Sequence, residues 1–274
     1  MIGKGIIMKK IHVVAAIIRD KDKILAAKRN YGNLKGFWEF PGGKVNIGEQ
    51  PEIALQRELK EELNAEIKIS EYFTSIQYDY PDFHMKMDCY ICTTEKFELN
   101  EAIHSKFKWL TLSDLDSVNW LEADKIVVNR LKIYLSKNIL VSACLLGDNC
   151  KYNGGNNYNQ NVLDLIKNKN VIKVCPEILA NLPLPRKPVE ILNDKIITKD
   201  KVDMTKLYMN SAKKAMQNIA DKEIDLAILK ANSPTCGSKY IYDGTFFHKL
   251  IEGNGIFAQM IKDKGILVIS ERDI

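Results

Sequence analysis

The chain has 274 residues, of which 46% are hydrophobic and 27% are charged, and its formal net charge at pH 7 is +5. These values are typical of a globular protein with two domains or one large domain. No apolar run is long enough to cross a bilayer and no long Lys/Arg run is present, so we expect neither membranes nor nucleic acids as partners. The apolar stretch in residues 1–18 lacks a small-residue cleavage site, which predicts a strand rather than a signal peptide, and a cytoplasmic location.

Apolar runs and two helical patterns indicate one α/β domain at residues 1–137. The first helical pattern begins at a proline, which suits the first helical position, and its leucines recur every four residues. The predicted elements are a hairpin of strands at 12–18 and 24–28, a helix at 51–63, strands at 71–78 and 85–93, a short apolar pair at 109–110 and a helix at 123–135.

Three carboxylates lie on the predicted helix at 51–63. Glu58, Glu61 and Glu62 are at positions i, i+3 and i+4, so they share one helix face and repel each other. A solvated acidic face is the simple explanation of such a group. Alternatively, the carboxylates bind a hard divalent cation such as Mg²⁺, which prefers oxygen ligands and also binds phosphates. The Gly42–Gly43 pair just upstream allows the backbone to approach the helix closely.

The residues around these carboxylates match a longer pattern. Residues 43–65 (GKVNIGEQPEIALQRELKEELNA) resemble the Nudix box, and residues 37–44 (FWEFPGGK) and 80–84 (YPDFH) resemble its MutT branch. Members of that branch hydrolyse nucleoside triphosphates to monophosphate and pyrophosphate. The resemblance implies an α/β/α sandwich with a mixed sheet, and it decides against the solvated acidic face.

The resemblance also implies roles for individual residues. Arg57 would orient the carboxylates, Lys44 would bind substrate, and Glu61 and Glu62 would act in catalysis. Asp124 falls where relatives contact the base, although it is equally well placed to be the N-cap of a helix. The implied ligands of Mg²⁺ or Mn²⁺ are Glu58, Glu61, Glu62 and the carbonyl of Gly43.

Two positions depart from the family pattern. Asn64 replaces the usual glycine after the helix, and asparagine tolerates the left-handed conformation that ends one. Relatives often supply a further glutamate before the tryptophan-containing strand, where this chain has Ile103, with Glu101 and His104 nearby. The sequence therefore does not identify the catalytic base or any additional metal ligand.

Two of the six cysteines lie in this first half. Cys89 and Cys92 form a C-x-x-C pair inside a predicted strand, where positions i and i+3 point to opposite faces. We therefore expect them to be buried packing residues rather than zinc ligands or a redox pair.

Beyond a seam at residues 136–138, strand and helix patterns alternate. This alternation predicts a second α/β domain, residues 138–274, with a mainly parallel sheet covered by helices. The short runs rich in Ile, Val and Leu are at 139–143, 171–174, 226–229 and 266–269, and the clearest helices are at 204–220 and 256–264.

Three cysteines of the second half each follow a predicted strand. Cys144, Cys175 and Cys236 would lie at the carboxyl ends of parallel strands, where ligands bind in open α/β sheets. Thiolates select iron–sulfur clusters, zinc or copper. Buried cysteines can also be small packing residues, but three in equivalent places favour a metal or cluster site.

Four motifs resemble a second family, once known only as domain of unknown function 523, whose members include thiouracil desulfidases. The motifs are residues 142–147 (SACLLG), 175–177 (CPE), 233–237 (SPTCG) and 242–246 (YDGTF). The resemblance implies a [4Fe–4S] cluster on Cys144, Cys175 and Cys236, with one iron left open. Glu177 would activate water and Ser233 would assist proton transfer. Without the resemblance, both are interpreted as ordinary surface residues of turns. Cys150 is expected to be a spectator, because a fourth ligand would close the cluster.

These features predict a bifunctional enzyme. One domain would hydrolyse nucleoside triphosphates, including thiolated ones, and the other would convert a thiolated pyrimidine such as 2-thiouracil into uracil and sulfide. Two alternatives are a cluster-bearing sensor or binding module in the second half, and desulfidation of thiolated tRNA.

Overall fold

The computed structural model describes residues 8–179 and 181–274. The chain forms two compact units, Met1–Val128 and Asn129–Ile274. The boundary expected between residues 137 and 138 stays a prediction. Residues 1–7, on which the expectation about a signal peptide partly rests, lie outside the described residues. Among the helices of the described ranges, none is both long and apolar enough to cross a membrane.

A mixed seven-stranded sheet forms the frame of the first unit, which confirms the predicted fold class. Its strands are β1 (Lys9–Asp20), β2 (Lys23–Arg29), β3 (Trp38–Glu39), β4 (Gly42–Lys44), β5 (Ile67–Tyr80), β6 (Phe83–Thr94) and β7 (His104–Leu110). Their order is β3-β2-β1-β6-β5, with β4 paired to β1 and β7 paired to β2. The β1–β6 pair is parallel, and the other pairs are antiparallel. The predicted hairpin is confirmed as β1–β2.

Helix α1 (Pro51–Leu63) has the predicted bounds. Its leucines are fully buried in a core with residues of β1, β2 and β6, and each such side chain contributes about 1.5–3 kcal/mol to stability. Asn64 ends the helix with φ 47° and ψ 29°, and its N–H donates to the carbonyl of Lys60 at 3.1 Å. The left-handed helix end expected at Asn64 is therefore confirmed.

Helix α2 (Glu122–Leu135) matches the second predicted helix and contains the division between the two units. Cys89 and Cys92 lie in β6, and both are fully buried, as expected of packing residues.

A parallel sheet of four strands lies at the centre of the second unit. The strands of this unit are β8 (Asn138–Ser142), β9 (Asn170–Val174), β10 (Val189–Leu192), β11 (Lys195–Thr198), β12 (Leu226–Leu229), β13 (Tyr240–Tyr242), β14 (Leu250–Glu252) and β15 (Leu267–Ser270). The parallel sheet has the order β15-β12-β8-β9, and two hairpins, β10–β11 and β13–β14, lie outside it. The four predicted strands are the four strands of this sheet. Since β12, β8 and β9 are neighbours, their carboxyl ends lie side by side.

Four helices accompany these strands: α3 (Gln160–Ile166), α4 (Pro176–Leu179), α5 (Thr205–Asn218) and α6 (Ile256–Asp263). Helices α5 and α6 confirm the two predicted helices to within two residues. Their buried residues pack against β8 and β12 in a core that also contains Cys236.

Candidate functional site

Glu58, Glu61 and Glu62 share one side of α1 but differ in exposure. The side chain of Glu61 is 62% exposed and that of Glu58 is 16% exposed, whereas Glu62 is buried. A solvated acidic face would expose all three. The burial of two of them therefore indicates that this face borders a site.

Arg57 connects this helix face to the loop that precedes α1. Its guanidinium donates to both carboxylate oxygens of Glu49, at 2.9 and 3.0 Å, and to the carbonyl of Lys44 at 3.0 Å. It also donates to Glu58 Oε1 at 2.8 Å and lies 3.6 Å from Glu61 Oε1. The hydrogen bonds from Arg57 lower the pKa of Glu49 to about 2. Arg57 thus lies where it can orient Glu58 and Glu61.

The two glycines of β4 approach the carboxylates closely. A Cβ on Gly43 would lie 2.2 Å from the carboxyl carbon of Glu58, so a larger residue would displace that carboxylate. The N–H of Gly42 donates to Glu62 Oε2 at 3.2 Å. Burial, together with the negative charges of Glu39 and Glu58, raises the pKa of Glu62 to about 8.

Glu58, Glu61, Glu62 and the carbonyl of Gly43 form a donor set that fits a hard divalent cation. It offers carboxylate oxygens and a nearby backbone carbonyl, and it carries more negative charge than its arginines offset. In the described ranges, however, no three Cys, His, Asp or Glu side chains are already arranged around one metal position. The carboxylates would have to shift to hold the ion.

A cavity of about 350 Å³ extends from this cation end towards α2. Its lining includes Lys44, Glu58 and Glu62 at one end and Asp124 with Tyr80 at the other. Asp124 is the third residue of α2, so the N-cap alternative is wrong. Its carboxylate is buried and accepts the N–H of Phe40 at 2.9 Å, and burial raises its pKa to about 8.

A buried polar group that the sequence did not single out lies beside this cavity. Glu39 is 9% exposed, and its Oε2 accepts a hydrogen bond from Arg29 at 2.8 Å. Its Oε1 lies 3.3 Å from Nε2 of His104, which is fully buried. Glu101 is exposed and Ile103 is half-buried, so His104 is the residue of that segment that reaches the group. The only signal in the sequence was the position of Glu39 inside the FWEFPGGK motif.

The three predicted thiols of the second unit converge. Cys144 lies in the short helical turn Ala143–Leu146 after β8, Cys175 directly follows β9, and Cys236 lies in the loop after β12. Burial raises the pKa of Cys236, and the charges of Cys144 and Cys175 reach it and raise it further. The neighbouring strand ends therefore bring these thiols to one place, as the parallel sheet predicts.

Cys150 also belongs to this group. It is buried and forms side-chain hydrogen bonds with both Cys144 and Cys175. Its hydrogen bond lowers the pKa of Cys144 to about 7 and also lowers that of Cys175. The expected spectator role stays a prediction, but the residue contacts two of the three proposed ligands.

Glu177 is held by two partners beside the thiols. Its Oε2 is paired with Arg186, whose side chain is almost fully buried, and its Oε1 accepts the hydroxyl of Thr235 at 2.9 Å. Arg186 also donates to the carbonyl of Cys150 at 3.0 Å. Glu177 is therefore not an ordinary surface residue. Arg186 and Thr235 are site residues that the sequence reasoning missed; Arg186 lies in a proline-rich segment without any periodic pattern.

Ser233 shapes the loop that carries Cys236. Its Oγ accepts the N–H groups of Thr235 and Cys236, each at 3.1 Å. Accepting these bonds uses oxygen lone pairs and leaves the hydroxyl proton to be donated. Cys144, Cys175 and Cys236 are soft ligands and fit an iron–sulfur cluster, whose irons take one thiolate each.

Two family models match the chain, one in each half. The model described as NUDIX domain matches residues 8–131, and the model described as 2-thiouracil desulfurase matches residues 139–273.

Individual relatives match each half separately. The uncharacterized protein YbbK of Bacillus subtilis (strain 168) is 39% identical over 146 residues, which is 50% of this chain and 97% of that protein. An 8-oxo-dGTP diphosphatase of Proteus vulgaris is 39% identical over 95 residues, covering 34% of this chain and 85% of that protein. A solved structure titled [4Fe-4S]-dependent thiouracil desulfidase TudS is 34% identical, with a TM-score of 0.47 over 50% of this chain and 93% of that one.

Substitution of the two loop glycines by alanine should have different effects. In Gly43→Ala the new Cβ meets the flexible end of Glu58, so we expect a folded protein that binds Mn²⁺ about tenfold or more weakly. In Gly42→Ala the Cβ would lie 2.1 Å from the backbone oxygen of Val14, so we expect a loss of about 1–3 kcal/mol in stability. Thermal unfolding and Mn²⁺ titration check both variants. A stable Gly43→Ala with unchanged Mn²⁺ affinity would contradict this geometry.

The buried carboxyl of Asp124 should make the chain less stable as the pH rises. Asp124 keeps its proton up to about pH 8 when folded but releases it near the ordinary value of 3.8 when unfolded. Raising the pH from about 5.5 to about 7.5 therefore favours unfolding, by at most about 1.4 kcal/mol per pH unit. Asp124→Asn should lose less stability over this interval than the unsubstituted protein does, as measured by urea unfolding at both pH values. An identical pH dependence of the two proteins would refute the buried, protonated state.

Proposed function

Because residues 8–131 belong to the Nudix family and residues 139–273 to the 2-thiouracil desulfurase family, we propose that the chain is a bifunctional enzyme. The first unit hydrolyses a nucleoside triphosphate to a monophosphate and pyrophosphate. The second unit converts a thiolated pyrimidine, such as 2-thiouracil, into the corresponding oxygen base and sulfide. The fusion supports a thiolated nucleotide as substrate of the first unit, because both units then act on the same class of base analogue.

The arrangement around Arg57 and Gly43 carries the first half of the proposal. Glu58, Glu61, Glu62 and the Gly43 carbonyl would hold Mg²⁺ or Mn²⁺. When bound, the cation supplies positive charge that offsets the pyrophosphate leaving group and activates water. Arg57 keeps Glu58 and Glu61 oriented, and Lys44 offers a further positive charge to the phosphates at the rim of the cavity.

Asp124 would contact the base at the other end of the cavity. The N–H of Phe40 already occupies Oδ1. With a pKa near 8, the carboxyl is protonated at neutral pH and can donate through its other oxygen. A carbonyl or thiocarbonyl of the base fits such a donor, whereas an ionised carboxylate would have required an amine or imino donor.

The three thiols beside Glu177 are the single observation that carries the second half of the proposal. Cys144, Cys175 and Cys236 would hold a [4Fe–4S] cluster, which, when bound, offers an open iron as a Lewis acid for the sulfur of the substrate. Glu177, fixed by Arg186 and Thr235, takes a proton from the water that attacks the carbon bearing the sulfur. Ser233 can donate its hydroxyl proton to the sulfur, which leaves as hydrosulfide, and can regain a proton from the hydroxyl on the carbon as the new carbonyl forms.

The hydrolase activity can be tested with the full chain, Mg²⁺ and a panel of normal and thiolated nucleoside triphosphates. We expect release of pyrophosphate, with kcat/KM lowered about a hundredfold or more in Glu58→Gln, because one cation ligand loses its charge. Glu95→Gln, an exposed carboxylate outside the site, is the matched control and should be unaffected. If none of the triphosphates yields pyrophosphate, the first activity is wrong.

The desulfidase activity requires anaerobic reconstitution of the full chain. We expect iron and sulfide contents near four of each per chain with a matching visible spectrum, and production of uracil and sulfide from 2-thiouracil. Glu177→Gln should retain the cluster and lose activity about a hundredfold or more, as expected for a proton acceptor. Cys144→Ala should lose the cluster, whereas Cys89→Ala, at a buried cysteine of the first unit, should retain it.

The alternatives give different results in the same experiment. A loaded protein whose spectrum responds to 2-thiouracil but which forms no uracil is a sensor. Activity on thiolated tRNA without activity on the free base indicates a tRNA substrate. Absence of both iron and product contradicts the proposed role of the second unit altogether.

A further inference from the structure

Glu39 is a buried carboxylate for which the reaction proposed above provides no role. It lies at the end of the short strand β3 and lines the same cavity as Gly43, Glu58 and Glu62. Burial of a carboxylate costs several kcal/mol unless partners compensate for the lost hydration. A carboxylate at this position therefore lowers the stability of the fold unless its negative charge serves a function.

Two residues from different strands lie against Glu39. Arg29, near the end of β2, donates to Oε2, and Nε2 of His104, at the start of β7, lies 3.3 Å from Oε1. The guanidinium of Arg29 is itself covered by the ring of Tyr31, 3.8 Å from its centroid. Each carboxylate oxygen has two lone-pair directions, so both oxygens can still accept on the cavity side.

Glu39 shares the lining of this cavity with Glu58 and Glu62, and the two glycines of β4 lie against those two carboxylates. Glu39, Glu58 and Glu62 therefore form a group of mutually repelling carboxylates around β4. Arg29, which also lines the cavity, offsets part of this charge through its hydrogen bond to Glu39, and a divalent cation in the cavity would offset the rest.

We propose that Glu39 is a further carboxylate of the cation site in the first unit, and that His104 and Arg29 are the residues that position it. This inference rests on the metal-dependent hydrolysis proposed above. It assigns the acidic group, which the sequence pattern did not locate, to β3. His104 acts only through Glu39: it lies outside the lining of the cavity and is fully buried behind the carboxylate.

Mn²⁺ binding to the full chain tests this assignment without depending on turnover. Free Mn²⁺ is measured by electron paramagnetic resonance during titration, which gives the number of ions bound and their dissociation constant. We expect Glu39→Gln to bind Mn²⁺ about tenfold to a hundredfold more weakly than the unsubstituted chain. Glu95→Gln, which makes the same change of charge at an exposed position, should bind as the unsubstituted chain does. Glu39→Asp, which keeps the charge but shortens the side chain, should also bind weakly and serves if the glutamine variant is unstable.

A second pair of variants tests the positioning role of His104. His104→Gln can place an amide N–H near the position of Nε2, whereas His104→Leu has no donor. We expect the leucine variant to bind Mn²⁺ about tenfold more weakly and the glutamine variant to recover most of the affinity. A purely structural role would give equal affinities in the two variants and would overturn the assignment of His104.

The failures of the two proposals can be told apart. If the unsubstituted chain binds Mn²⁺, Glu58→Gln weakens the binding and Glu39→Gln does not, then the inference about Glu39 is wrong and the hydrolase proposal stands. If the unsubstituted chain binds no Mn²⁺ at all, both are wrong.

Discussion

Both candidate sites depend on one constraint: acidic side chains are held where little water can reach them. In the first unit, the burial of Glu39 and Glu62 and the close approach of Gly43 to Glu58 place three carboxylates around one loop. Arg57 pairs with Glu58, and Arg29 pairs with Glu39. Mutual repulsion and the raised pKa of Glu62 show that the charge is incompletely offset. The packing of the apolar face of α1 and the pairing of β1 with β4 hold these repelling carboxylates together.

The second unit meets the same constraint with thiols. The adjacent ends of β8, β9 and β12 supply Cys144, Cys175 and Cys236, and a fourth thiol, Cys150, contacts two of them. Their pKa values move in opposite directions: the hydrogen bond from Cys150 lowers the pKa of Cys144, while burial raises that of Cys236. Metal ligation requires every ligand thiol to be deprotonated, so cluster loading must release protons, above all from Cys236. The chemistry of the two units differs, but each places acidic groups where their ionised forms need a positively charged partner.

The sequence was sufficient for the elements whose signals are local. The bounds of α1 follow from Pro51, the repeating leucines and Asn64, and the four core strands of the second unit follow from their short apolar runs. The hairpins β10–β11 and β13–β14 and the short strands β3 and β4 were missed, because strands of two to four residues show too little alternation to be recognised. The motif residues were found because their spacing is specific. Their partners Arg29, Thr235 and Arg186 were missed because such contacts are set by tertiary packing.

Asp124 and His104 show why local reasoning fails at these positions. A capping carboxylate accepts an N–H two or three residues further along the chain, but Asp124 accepts that of Phe40, 84 positions away. Likewise, relatives often have a glutamate in the segment before Trp109, whereas this chain has a buried histidine there that lies 3.3 Å from an acid on another strand. In both cases the fold, not the neighbouring sequence, determines which polar group is within reach. A ligand that is missing from its usual place in the sequence should therefore be sought among the buried polar groups that surround that place in space.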